Sequence, residues 1–169
     1  MRLYAVLLFL HVLATVIWVG GMFVMHFAVR PSAVEVLAPP QRLPMLAATL
    51  RRFFNWVTIS VLVTLASGLA MFVGIGMAAG AMGRGENAFL AGLKLAHTSI
   101  HAMFFTGLVM MVVYAYIRLA PYPRLQQHVA AQEWPQAAEQ LDQIRLLVAT
   151  NLALGIATIA TATVGRALL

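Results

Sequence analysis

Four long apolar stretches constrain the fold of this chain more than any other feature. They cover residues 3–29, 53–77, 89–119 and 144–168. Each is longer than the roughly 20 apolar residues with which a helix crosses the hydrocarbon core of a bilayer. Because only helices and closed barrels satisfy their backbone polar groups in lipid, the pattern predicts an all-α integral membrane protein, a four-transmembrane-helix antiparallel bundle.

The amino-acid composition also indicates that lipid surrounds the chain. Hydrophobic residues make up 62% of the chain and charged residues only 9%, whereas roughly a quarter of residues are charged in soluble domains. The length of 169 residues predicts one domain over residues 1–169. Cysteine is absent, which excludes disulfides and thiolate metal sites, so any metal must use histidine, methionine or oxygen ligands.

The basic residues predict an orientation in the membrane. They concentrate in the first and third connections between the apolar stretches, which carry Arg30, Arg42, Arg51, Arg52, Arg118, Arg124 and Arg145. Cytoplasmic loops are the ones enriched in Lys and Arg. We therefore expect a multi-pass protein of the bacterial inner (cytoplasmic) membrane with both termini periplasmic. Because the basic residues match cytoplasmic loops, the net charge of +6 does not predict a nucleic-acid partner.

Few ionisable residues lie inside the apolar stretches. They are His11 and His26 in the first and Lys94, His97 and His101 in the third. Such residues are costly in lipid and face the bundle interior, so each is a hypothesis for a functional site.

Helical spacing places these residues on two faces. His11 shares one face of the first stretch with Trp18, and Lys94, His97 and His101 share a face of the third. His11 and His97 each lie eight residues from the outer end of their stretch, and His11 and His101 each lie eighteen residues from the inner end, so helix tilt decides which pair is closer. At 1.5 Å per residue His26 is about 22 Å further along the helix than His11. The pattern predicts a site in the outer half that contains His11 and excludes His26.

Opposed imidazoles at similar depth are typical of a b-type haem, whose iron they would ligate. A covalent C-x-x-C-H attachment is absent, so the haem would be non-covalent. Its candidate binding residues are His11, Trp18, Lys94, His97 and His101. Two alternatives stay open: histidines that only bond to backbone or hydroxyl groups, and a soft Cu(I) set of Met22, Met25 and His26, although methionine is also a common packing residue.

Several segments resemble a known family. The first stretch, LHVLATVIWVGGMFVMHFAVRP, and the later segments TLASGLAMF, LKLAHTSIHAMFF and IRLLVATNLALG are similar to the bacterial copper resistance protein D (CopD) family. The related HemJ family, membrane protoporphyrinogen oxidases that bind haem b, is similar in fold, with His11, Trp18, Gly21 and Lys94 at matching positions. The resemblance implies a four-helix inner-membrane protein connected with copper handling, with haem binding suggested through its relatives.

Three functions follow as hypotheses. The first is a haem oxidoreductase that transfers electrons from a membrane quinol to a periplasmic acceptor such as cupric ion or superoxide. The second is copper transport or binding without haem, for which transport would require a homodimer. The third is a HemJ-like protoporphyrinogen oxidase. We prefer the first, and the sequence leaves open the axial pair, the number of haems and the oligomeric state.

Overall fold

The computed structural model describes residues 2–80, 83 and 85–164, and over these residues the regular structure is helical without strands. The elements are α1 (Arg2–Val24), a π-helical turn (Met25–Val29), α2 (Arg30–Val36), α3 (Pro39–Ala78), α4 (Ala88–Leu95), α5 (Thr98–Leu119), α6 (Pro121–Ala130) and α7 (Trp134–Thr163). The predicted all-α class is confirmed. The last residues of the expected stretch 144–168 lie outside the described part of the chain.

Four helical stretches are long and apolar enough to cross a membrane: Arg2–Val36, Pro39–Ala78, Thr98–Ala130 and Trp134–Thr163. Large apolar side chains on their outer surfaces are more than half exposed, among them Phe9, Val16, Leu62, Phe105 and Val112. Exposed apolar surface on every long helix is what a lipid environment requires. The prediction of four transmembrane helices is therefore confirmed.

Neighbouring long helices are antiparallel, as contacts along their lengths show. His11 and Gly21 of α1 meet Gly68 and Phe53 of α3, and Arg30 reaches Asp142 of α7. We call the end of the bundle that carries the start of α1 and the end of α7 the terminal end. The opposite end, which carries α2, α6 and the start of α3, is the loop end.

The buried apolar core fills the loop half of the bundle. It joins α1, α3, α5, α6 and α7, and its last members toward the terminal end are Trp18, Val57, Met110 and Leu152. Beyond this level the buried apolar side chains are fewer, with Phe72 packed against Phe89 and Phe104, and most other inward positions are small, polar or half-buried. The terminal half is therefore less tightly filled by apolar side chains than the loop half.

Helix α4 crosses α3 at backbone contact through Gly76 and Gly92. A Cβ atom added to Gly76 would overlap the carbonyl group of Ala88, and one added to Gly92 would overlap the carbonyl group of Phe72. Small residues permit such close crossings in membranes. This contact fixes the position of α4 on the bundle.

The single helix expected over residues 89–119 is instead two helices. Ala96 and His97 have extended backbone with ψ of 144° and 150°, so α4 ends at Leu95 and α5 begins at Thr98. The His97 side chain caps α5 by accepting from the Ser99 N–H. Because the helix is interrupted, Lys94 does not share a regular helical face with His97 and His101.

Candidate functional site

His11 lies on α1 in the terminal half and is held by α3. Its Nδ1 is 2.9 Å from the Ser67 Oγ. The single proton of that hydroxyl is donated to the Val63 carbonyl at 2.6 Å, so the Ser67 oxygen accepts from His11 Nδ1–H. A neutral imidazole protonated at Nδ1 carries its lone pair on Nε2. Ser67 therefore orients His11 as a metal ligand through Nε2.

Small residues of α3 make room for the His11 ring. A Cβ atom on Gly68 would lie 3.3 Å from His11 Cε1. One turn away, the buried Thr64 hydroxyl has no hydrogen-bond partner among the described residues. Sequence analysis missed Ser67 and Thr64 as functional candidates, although their spacing on α3 places both on the face that meets α1. The site combines a free imidazole nitrogen with an unpartnered hydroxyl.

The other two histidines use their ring nitrogens locally. His97 Nδ1 accepts from the Ser99 N–H at 3.3 Å, so the ring proton is on Nε2 and the lone pair is used by the helix cap. His101 Nε2 is 2.7 Å from the Leu93 carbonyl, so it donates, and Nδ1 carries the lone pair. Of the three histidines, His11 is the one whose lone pair is assigned to Nε2, the nitrogen that would bind a metal.

The helix register separates His11 from His101. The rings of Trp18 and Tyr114 are 6.3 Å apart, which sets α1 against α5. At 1.5 Å per residue, His11 lies about 10 Å and His101 about 20 Å from this level, both toward the terminal end. His101 is thus about 9 Å nearer the terminal end. The structure does not bring these two histidines to one depth, and their joint ligation stays a prediction.

The remaining candidates lie in different surroundings. Lys94 is exposed in the last turn of α4. Trp18 is buried at the boundary of the core that faces the terminal end. Met22 is buried in that core, whereas Met25 and His26 line a small cavity at the loop end. Within the described residues no cluster of three or more His, Asp or Glu side chains could hold a metal ion. A metal site here would depend on few protein ligands or on a prosthetic group.

Replacing His97 with asparagine separates its capping role from a ligand role. Asparagine is among the best N-cap residues, so we expect a stability within about 0.5 kcal/mol of wild type and unchanged bound haem or copper. His97→Ala removes the cap and should cost about 1 kcal/mol. Thermal unfolding and metal analysis of both variants test this. Loss of the bound group from a folded His97→Asn protein would assign His97 as a ligand.

These observations define a multi-pass, four-helix membrane protein with a histidine in its terminal half. The model of the family described as copper resistance protein D matches residues 47–164, more than half of the chain, and the chain therefore belongs to the CopD family. The match includes Lys94, His97 and His101, while His11 and the rest of α1 precede it. No curated protein and no solved structure matches the chain. The CopD resemblance is confirmed, and the HemJ resemblance stays a prediction.

Proposed function

We propose that this copper-resistance-family membrane protein binds a b-type haem in the terminal half of the bundle, with His11 as an axial ligand. It would transfer electrons from a membrane quinol to an acceptor such as cupric ion or superoxide at the periplasmic face, where both termini lie. The observation that carries the proposal is the His11 ring, fixed by Ser67 through Nδ1, which assigns the lone pair to Nε2. Imidazole held in this way is a typical axial ligand.

The residues of the terminal half fit one axial position of a haem. His11 supplies the nitrogen, and the buried Thr64 hydroxyl is available to a bound group. The apolar core, which ends at Trp18, lies between this site and the loop end and would keep water from reaching the site from that end. Lys94, exposed on α4, has the charge to pair with a propionate. His101 lies about 9 Å nearer the terminal end than His11, and its role as the second ligand stays a prediction. A bound haem would supply one-electron redox chemistry at this site.

Copper handling without haem is the second candidate. The family description favours it, and so does the core at the middle of the bundle. Met22 and Met110 bury their thioethers there. Asn151 donates to the Met110 carbonyl at 3.2 Å, and its Oδ1 has no partner among the described residues. Thioethers of this kind suit Cu(I) moving between weak sites, with Met25 and His26 as weaker candidates toward the loop end.

An absorption spectrum and a metal assay of the purified full chain separate these functions. We expect protein from haem-replete cells to be red, with a Soret band that shifts on reduction and haem in stoichiometric amount. Colourless protein with stoichiometric copper would select the second candidate, and protein with neither would contradict both. Rescue of a strain lacking protoporphyrinogen oxidase would select the HemJ-like activity, which rests on the resemblance alone.

A further inference from the structure

The π-helical turn Met25–Val29 borders a small cavity at the loop end. The cavity has a volume of about 40 Å³. Met25 and His26 line it together with Arg30 and Arg145, and apolar residues of α3 and α7 form the rest of its wall. π-helical turns inside α-helices are frequent at functional sites. This cavity is remote from His11 and serves no role in the proposed redox chemistry.

The charges around the cavity do not balance. Arg30 Nη2 is 3.0 Å from Asp142 Oδ1, and Arg145 Nε is 3.5 Å from the same oxygen. Two guanidinium groups therefore share one carboxylate. Arg30 Nε is also buried without a hydrogen-bond partner among the described residues, and a buried donor without an acceptor costs about 1–3 kcal/mol. Among the described residues the site therefore has one carboxylate for two guanidinium groups and one buried N–H donor without an acceptor.

We propose that the phosphate of an anionic phospholipid binds Arg30 and Arg145, with an acyl chain along the apolar surface beside them. Arg30 directly follows the first apolar stretch, which predicts a position near the lipid headgroups. Basic pockets between transmembrane helices at this depth bind anionic headgroups. A cavity of about 40 Å³ with an almost wholly apolar lining holds roughly three water-sized groups. It can take part of the acyl chain while the phosphate lies against the guanidinium groups at its rim, and it is too small to enclose a quinone ring.

Native mass spectrometry of the full chain with added phosphatidylglycerol tests the proposal. We expect one tightly bound phosphatidylglycerol per chain, and roughly tenfold weaker binding of phosphatidylcholine. Arg30→Gln should weaken phosphatidylglycerol binding by about the same factor. The matched control is Arg52→Gln, which removes an exposed arginine of α3 and should leave the affinity unchanged. Inorganic phosphate alone should not displace the lipid.

Asp142→Asn separates lipid binding from a purely structural role of the ion pair. This variant breaks the same contact as Arg30→Gln but leaves both arginines for the phosphate, so phosphatidylglycerol should bind as tightly as to wild type or more tightly. A loss of affinity in Asp142→Asn would overturn the proposal. Equal effects of Arg30→Gln and Arg52→Gln, or displacement of the lipid by a short-chain quinone, would overturn it as well.

Discussion

Gly76→Ala should unfold the protein at a markedly lower temperature than wild type. The added methyl group would overlap the Ala88 carbonyl and approach the Gly92 amide. Both are backbone groups of α4, which a rotamer change cannot move aside. Overpacking that must shift a backbone costs about 3 kcal/mol or more. Thermal unfolding in detergent, followed by circular dichroism, measures the shift.

Gly74→Ala is the matched control, two residues earlier on the same helix. A Cβ atom on Gly74 meets no other atom within 4 Å. Alanine has the higher helix propensity by about 0.8–1 kcal/mol, so this variant should be neutral or slightly more stable. Similar destabilisation by both substitutions would contradict the close crossing of α3 and α4.

The sequence predicts the fold class because the membrane restricts the chain to few structures. The four apolar stretches each correspond to a long helix. The polar extension of the second stretch was not expected, since α3 begins at Pro39 rather than near Phe53. The added turns are amphipathic and bury Leu43, Leu46 and Leu50 at the loop end. Apolar run length measures only the part of a helix that lies in lipid.

The break between α4 and α5 has no signal in the apolar pattern. Ala96 and His97 are neither glycine nor proline, and the three polar residues His97, Thr98 and Ser99 are too few to end the apolar stretch. Once the helix is broken, the Leu93 carbonyl loses the N–H that a continuous helix would provide at residue 97. The His101 ring donates to this carbonyl instead. His101, which helical periodicity predicts as a ligand, thus satisfies a carbonyl group at the end of α4.

Helical periodicity also predicts which face of a helix is polar, without identifying the helix that the face meets. We expected His11 to point toward the histidines of the third stretch. In the structure α1 packs mainly on α3, and His11 meets Ser67 there. Choosing this partner requires the packing of the whole bundle. Counting residues from the ends of the stretches likewise leaves out the register between α1 and α5 that the contact of Trp18 with Tyr114 indicates.

His11→Ala should abolish binding of the haem in the terminal half, because it removes the nitrogen that Ser67 orients. His128→Ala is the control, since His128 lies on α6 with its Nδ1 2.6 Å from Glu133 Oε2, away from the site. We expect stoichiometric binding in His128→Ala and none in His11→Ala, measured by the pyridine haemochrome spectrum and by metal analysis. Added imidazole should restore a Soret band to His11→Ala if the bound group is haem. Full occupancy of His11→Ala would exclude His11 as a ligand.

Ser67→Ala should weaken the same binding about 10- to 100-fold, the usual effect of removing a group that orients a metal-ligating histidine. Without the hydroxyl, His11 Nδ1–H loses its acceptor, and the ring is free to rotate and change tautomer. Ser60→Ala is a matched control, because Ser60 is also buried on α3, with 3% of its surface exposed against 4% for Ser67. Transfer of the bound haem to apomyoglobin, or competition with a copper chelator, gives the dissociation rate or affinity of each variant. Equal losses in both variants would mean that Ser67 contributes to packing alone, whereas a loss confined to Ser67→Ala would assign it the positioning of His11.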